Sequence, residues 1–275
     1  TSAHAIVVQG DAYGIGRGDV KRNVMTYFYS SKAWGMAQQL VTDTMQPLER
    51  KRLADREFEH PFGRTEWEHK SAAMYAAKHV FCAVESTVSS AAETMSYLRS
   101  CAGLLALENK PLIWKTPSEF VAHQYYAHKV GKKLKLWFFE NELRLPTHKR
   151  RTVAIADFTG KCDTHRMKNA CGANIIHSLD SAHLLLTVLA CQEKGINDFF
   201  VIHDSFGSTS ADMEKMYATV RETFIDMYQD YCIFDVVDKS VRAVLSVPNL
   251  EKIESIPTKG DLDLKEITKS EWCFS

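Results

Sequence analysis

A mixed α and β chain in which helix dominates is predicted by three features of the sequence. Met213, Met216, Tyr217, Val220, Phe224, Met227 and Tyr228 recur at helical spacing, as a core-facing stripe does. The interval Pro111–Leu145 instead groups Leu112, Ile113, Trp114, Leu134, Leu136, Trp137, Phe138 and Phe139 in short runs of strand type. Phe199-Phe200-Val201-Ile202, broken by His203-Asp204-Ser205 and resumed at Phe206-Gly207, reads as strand, tight turn, strand. With 45% hydrophobic residues over 275 positions, the chain can bury a real core and wholesale disorder is excluded.

The elements follow in order. Residues 1–18 are Gly-rich and loop-like, and from Asp19, an N-cap candidate, a helical pattern runs to about Met45, where Pro47 ends or kinks it. Residues 49–70 are dense in charge and predict a solvated helix face. Glu66 to about Leu107 is Ala-rich and favours helix. The strands of Pro111–Leu145 lead into a basic loop (His148, Lys149, Arg150, Arg151), after which a helix covers Ser178–Glu193. The hairpin at 199–207 precedes a helix from Ser210, and the chain closes on a mixed-charge tail ending Trp272-Cys273-Phe274-Ser275.

Composition narrows the function classes. Lys and Arg total 34 against 34 Asp and Glu, so nucleic-acid binding must come from local patches. Such a patch exists: Lys129–Arg151 holds eight Lys or Arg against Glu140 and Glu142, a net +6 that would track phosphates or form a solvated rim. No apolar run reaches the roughly 18 residues of a membrane span, and the first twenty residues show no signal-peptide pattern, so no membrane partner is expected. Seven cysteines without such a signal predict free thiols. The chain opens Thr1-Ser2-Ala3 without Met, with chemistry-like motifs almost at once, which suggests a piece of something longer.

Two clusters carry chemistry. Arg17, Lys21, Met25 and Tyr29 stand four apart, one helical stripe drifting about 40° per step. Lys21 to Tyr29 would span about 12 Å, the reach of a nucleoside triphosphate from its outer phosphates to its base. Cations near a helix N-terminus suit phosphates, an aromatic hydroxyl further along suits a sugar or base, and Arg22 adds a donor. The plainer reading is an amphipathic helix with a basic first turn. Asp204, at the tip of an apolar hairpin, would be a rigidly presented carboxylate of the kind two-metal phosphoryl transfer requires, with His203 beside it. The plainer reading there is a polar β-turn.

Taken together, these residues resemble a known family. Arg17-Gly-Asp-Val-Lys21-Arg22-Asn-Val-Met25-Thr26-Tyr-Phe-Tyr29 resembles motif B of the single-subunit, phage-type RNA polymerases, and His203-Asp204-Ser205-Phe206-Gly207 resembles their motif C. Trp114-Lys-Thr116-Pro117 with Phe120, Gln124 and Tyr126 falls in the family's order, as do Asn174 to Ser178 with Asp180 and His183, and Val220-Arg221-Glu222-Thr223. The similarity spans essentially the whole chain.

The resemblance implies an α+β, helix-dominated right-hand polymerase fold. Residues 1–160 would be a fingers-like region with the motif B helix, and 161–275 a palm-like region with the motif C hairpin and C-terminal tail. It implies that Arg17 and Lys21 bind the incoming triphosphate, supported by Arg22 and lined by Met25, while Tyr29 reads the sugar and base and gates translocation. Asp204 would ligate Mg²⁺ with His203 alongside, His177 would touch the minor groove of the nascent hybrid, and Phe274-Ser275 would lie near the active site. Lys149, Arg150 and Arg151 join His177 as nucleic-acid contacts. DNA template, RNA product and NTPs are the implied partners, in the cytoplasm of a phage-infected bacterium.

The chain departs from the family in two places. Ser30 follows the motif B tyrosine where the family usually has Gly. Motif A, with the first metal-binding Asp, is absent, as are the N-terminal and thumb regions, so two Mg²⁺ ions must share a carboxylate from an upstream segment or second polypeptide. By this reading the chain alone is inactive. Asp157, a strand-end carboxylate, lies in the wrong order to substitute.

Three other patterns rank lower. Cys162, His165, Cys171 and His177 match no common zinc finger, Gly14, Gly16 and Gly18 follow no strand, and His203 with Ser205 is not read as a hydrolase pair. Rival readings are a family A DNA polymerase-like fragment, which would typically carry His-Asp-Glu at 203–205, and a non-catalytic remnant that only binds nucleic acid.

Overall fold

The computed structural model describes residues 14–136, 151–202 and 205–270. Helix α1 (Arg17–Tyr27) starts at Gly16 rather than at the expected Asp19. Asp19 instead lies in the first turn, where its carboxylate accepts the Gly16 N–H at 2.9 Å and the Thr44 hydroxyl at 2.8 Å. An acidic group there faces the positive end of the helix.

The single helix expected to Met45 is divided. After the turn at 28–32 comes α2 (Ala33–Leu40), then Val41–Met45 widens into a π turn that runs directly into α3 (Gln46–Ala54). Pro47 sits in the first turn of α3 and does not end the helix, because the π turn has already shifted the hydrogen-bond ladder that proline would break. The Ala-rich region forms α4 (Glu66–Thr87) and α5 (Ser89–Leu107), parted at Val88. Thr65 and Glu68 cap α4 reciprocally: the Thr65 hydroxyl oxygen accepts the Glu68 N–H and the Glu68 carboxylate accepts the Thr65 N–H.

Strands β1 (Leu112–Lys115) and β2 (Val121–Gln124) pair antiparallel, Leu112 opposite Gln124. Strands β3 (Ala127–Leu136) and β4 (Arg151–Cys162) form a second, longer antiparallel ribbon, exposed along most of its described length. Expected strand residues Trp137, Phe138 and Phe139 lie outside the described residues.

Helix α6 (Thr164–Glu193) begins well before the expected Ser178, at an N-cap where Asp163 accepts the Arg166 N–H at 3.0 Å. By length and composition it could cross a bilayer. Here Met167, Cys171, Ile175, Leu179, Ala182 and Cys191 are buried in the protein, so α6 is a central core helix.

The expected hairpin is present as β5 (Phe200–Ile202) and β6 (Ser205–Gly207), with Ile202 opposite Ser205. Helix α7 (Met213–Asp230) follows and buries Met216, Val220 and Met227, while Met213 and Tyr217 stay exposed. Then come α8 (Ile233–Val244), α9 (Val247–Leu250) and α10 (Glu266–Lys269).

Three apolar clusters hold these elements. The largest joins α5, β1, β2, α6 and α8 through Tyr97, Leu105, Leu112, Met167, Ile175, Val237 and Val241. A second joins α1, α2 and α4 through Tyr27, Met36, Leu40, Ala73 and Ala77. The third ties the hairpin to α6 and α7: Cys191, Ile196, Met216 and Val220 pack against Phe199 and Phe206. The buried cysteines are free thiols, as expected.

Candidate nucleotide site

The basic stripe expected on α1 stands open. Arg17 and Lys21 are exposed, Met25 is 52% exposed and Tyr29 38%. The opposite side of the helix is buried through Asn23, whose Nδ2 donates to the Met36 carbonyl at 3.2 Å, and Tyr27. A surface stripe of this composition is free to meet a ligand, and α1 is held to α2 and α4 from behind.

Tyr29 does not ride on the helix as its spacing implies. The helix ends at Tyr27, and Tyr29 occupies the turn that stops it. The Ser31 N–H donates back to the Thr26 carbonyl and the Ser30 N–H to the Tyr27 carbonyl, both at 3.0 Å. This is the Schellman closure, and it places Ser30 in the left-handed region with φ 67°. The Gly that the family usually has at this position therefore has a physical reason: glycine reaches that conformation freely. The buried Ser30 hydroxyl also has no hydrogen-bond partner among the described residues. Ser30→Gly is expected to stabilise the chain by about 1–2 kcal/mol, read by denaturant unfolding. A loss of stability would contradict this account of the turn.

The turn brings two separated motifs together. The rings of Tyr29 and His177 lie 4.9 Å apart, tilted by 40°. Gly172, five residues before His177 on α6, leaves room for both neighbours: a Cβ there would fall 2.1 Å from Met95 Cε and 3.2 Å from the Phe28 carbonyl oxygen. The Met95 side chain could swing aside, whereas the Phe28 backbone would have to shift slightly.

Arg22 is not aimed at the open stripe. Its Nη1 donates to both Asp43 carboxylate oxygens, at 2.9 and 3.0 Å, and so braces α1 against the π turn. Arg17 and Lys21 have no such partner among the described residues.

Beside His177, the stretch Trp114–Tyr126 and the stretch Asn174–Ser178 are joined by hydrogen bonds. The Trp114 indole N–H donates to the Ser178 hydroxyl at 2.8 Å. The Gln124 amide donates to the Met167 carbonyl at 2.9 Å, and Asn174 donates to the Gln124 amide oxygen at 2.8 Å and the Tyr126 hydroxyl at 3.2 Å. The β1–β2 hairpin thus fixes the face of α6 that carries His177. Nothing in the sequence spacing announces these bonds.

The β5–β6 hairpin is braced from the second half of α6. His183 is buried, with a ring nitrogen 2.9 Å from the Val220 carbonyl and its ring edge on Phe206 and Phe224. Since a carbonyl only accepts, that nitrogen carries the proton. Burial pushes the His183 pKa below its ordinary value of 6.5, against raising contributions from the Val220 carbonyl and Asp180. His60 is lowered by burial in the same way.

As pH falls below about 6.5 the unfolded chain takes up protons that the folded chain refuses, so stability present above that pH is lost below it. The midpoint of denaturant unfolding should therefore drop between about pH 7.5 and pH 5.5, less steeply in His183→Gln. An unchanged midpoint in the parent chain would exclude this coupling.

Several expected site residues fall elsewhere. His203, Asp204, Lys149, Arg150 and Phe274-Ser275 lie outside the described residues; Arg151 opens β4. Asp157 sits within β4 opposite Val130, not at a strand end, and its carboxylate accepts its neighbour Phe158's N–H. The Cys162, His165, Cys171 and His177 series is not gathered: Cys171 is buried with its thiol on the Lys168 carbonyl, while His177 meets Tyr29.

Comparison with known proteins gives a single answer. The sequence model of the DNA-dependent RNA polymerase family matches residues 2–247. The DNA-directed RNA polymerase of Enterobacteria phage T3 is 34% identical over 277 residues, covering 96% of this chain and 30% of that protein. T7 RNA polymerase of Escherichia phage T7 is 32% identical over 284 residues, covering 98% of this chain and 30% of that protein. The mitochondrial DNA-directed RNA polymerase 1B of Nicotiana tabacum is 30% identical over 258 residues, covering 93% and 23%. The chain therefore spans about 30% of the length of the phage relatives.

Proposed function

This chain belongs to the DNA-dependent RNA polymerase family of phage type, and we propose that it supplies the C-terminal fingers and palm portion of such an enzyme. The reaction is template-directed nucleotidyl transfer: the RNA 3′ oxygen bonds to the α-phosphorus of an NTP as the bond to pyrophosphate breaks. Residues 1–160 form the fingers-like region and 161–275 the palm-like region. DNA template, RNA product and NTPs are the partners, and the phage relatives support a setting in the cytoplasm of an infected bacterium.

The observation that carries this reading is the open α1 stripe ending at Tyr29 against His177. Arg17 and Lys21 hold the triphosphate and neutralise charge that builds on the leaving pyrophosphate. Met25 lines the path. Arg22, through Asp43, keeps the helix aimed. Tyr29 packs on sugar and base while His177 meets the hybrid beside it. The exposed Lys129, Lys132, Lys133 and Lys135 of β3, with Lys149, Arg150 and Arg151, track nucleic-acid phosphates.

Asp204 is the residue of this chain that would hold Mg²⁺, with His203 alongside. When bound, the ion would neutralise the reacting phosphate and lower the pKa of the attacking hydroxyl. An upstream segment or second polypeptide supplies the other carboxylate. The short coverage of the relatives supports that need, and so do the large apolar side chains left exposed, Trp34, Trp67, Phe120 and Phe200.

A photoreactive group on the γ-phosphate of an NTP tests the placement. On an assembled RNA–DNA scaffold complex, label should enter the peptide bearing Arg17 and Lys21 and be competed by unmodified NTP. Label confined to other peptides would overturn the assignment of α1.

A further inference from the structure

Away from the α1 stripe, Glu49 of α3, His60 of the following segment and His69 of α4 converge, one potential ligand atom of each lying within 4.8 Å of the others. Both imidazoles are buried, and their rings stack at 3.9 Å with 27° between planes. No step of the proposed polymerase chemistry uses these three residues. We propose that they form a binding site for a divalent transition ion of the zinc class, with solvent as the fourth ligand.

The outer contacts are those a metal-bound histidine needs. His60 Nε2 lies 3.1 Å from the Met45 carbonyl and His69 Nε2 lies 3.0 Å from the Gly63 carbonyl. Each Nε2 therefore carries its proton, and each Nδ1 carries a lone pair. Backbone carbonyls acting on one ring nitrogen fix tautomer and orientation for ligation through the other. The carbonyl that holds His69 belongs to Gly63, whose φ of +101° is set in a sharp turn just before α4. The donors thus come from a chain path shaped around them, and not from one helix face.

The donor set also selects the ion. Two imidazoles and one carboxylate suit zinc, whereas Mg²⁺ and Ca²⁺ prefer all-oxygen shells. Ligands around a tetrahedral zinc lie about 3.3–3.6 Å apart, so any pair of donors near the 4.8 Å limit must draw in by about an ångström. Glu49 is only partly buried and is the freest of the three to move. Beside the cluster opens a cleft of about 630 Å³ lined by His60, Arg52, Arg56 and Arg64, which gives the ion a route and a water.

Two existing contacts oppose the ion. The Phe62 N–H donates to His60 Nδ1 at 3.2 Å and must give way. Arg52 forks onto Glu49 at 2.7 and 2.8 Å, which leaves lone pairs on the carboxylate but places a positive charge close by. Removing that charge should therefore strengthen the site, an effect a purely structural cluster has no reason to show.

Chelator-stripped protein titrated with Co²⁺ is the test, followed by competition with Zn²⁺. One Co²⁺ per chain with the intense visible absorption of a four-coordinate site, displaced by Zn²⁺, is the expected result. Glu49→Gln should weaken binding by more than the roughly 10–100-fold that loss of an outer-shell partner costs, and Arg52→Gln should tighten it. Glu49 and Arg52 are each partly exposed, so these variants disturb less packing than replacing buried His60 or His69 would. Sub-stoichiometric binding, the weak spectrum of a six-coordinate ion, or the same affinity in Glu49→Gln would overturn the proposal. None of these readouts depends on polymerase activity.

Discussion

Lys21→Ala or Asp204→Asn should lower nucleotide addition by the assembled polymerase at least about 10²–10³-fold, the usual loss when one preorganised group facing developing charge is removed. For Lys21 the fold should survive intact. It is exposed and makes no ion pair or hydrogen bond among the described residues, so its removal should change stability by no more than about 0.5 kcal/mol. The strands flanking Asp204 are held through Phe199 and Phe206 against Cys191, Ile196, Met216 and Val220. Arg22→Ala is the instructive contrast. Its guanidinium is committed to Asp43, so its loss should act through the aim of α1, raising KM more than it lowers kcat. Extension rates under saturating and limiting NTP separate the three variants, and near-normal rates for Lys21→Ala would sink the triphosphate assignment.

Tyr29→Phe should relax the preference for NTPs over dNTPs. The Tyr29 hydroxyl makes no hydrogen bond to the described residues, while the ring is seated on His177 by the Schellman turn. Phenylalanine keeps the ring contact and removes only the hydroxyl, so the fold and the base-side packing remain. A hydrogen bond to the sugar is worth about 1–3 kcal/mol when its partner would otherwise be left unpaired, roughly 5- to 150-fold in selectivity. Misincorporation of dNTPs measured against NTPs by single-nucleotide extension gives the ratio directly. An unchanged ratio would remove Tyr29 from sugar reading.

The sequence is most legible where local patterns are strong and least where tertiary contacts decide. The hairpin at 200–207 and the α7 stripe follow from a short apolar run broken by polar residues and from helical period, which are local properties. The α1 stripe is legible too, but its end is not. Helical spacing carries Tyr29 onto the helix, whereas the back-bonds of Ser30 and Ser31 place it in the closing turn. The one clue was the residue itself, a serine where the family's glycine signals a left-handed position.

The first half of α6 is obscured by its own polar residues, His165, Asn169 and His177, which suggest ligands more than helix. The hydrogen-bond partners of Gln124 and Asn174 lie 50 positions apart, and no local pattern links them. Glu49, His60 and His69 are likewise spread over three segments, with Glu49 lost in a charge-dense stretch that reads as a solvated face.

Extension of an RNA primer on a DNA scaffold with Mg²⁺ and NTPs, by the 275-residue chain alone and then mixed with the candidate upstream polypeptide, is the most direct test of the proposed function. On the proposed reading, in which an upstream segment or second polypeptide supplies the second carboxylate, the chain alone should be silent and the mixture should extend the primer. Extension by the chain alone would contradict the need for that second carboxylate. Silence from a mixture shown to form a complex would contradict the polymerase reading and leave a protein that only binds nucleic acid.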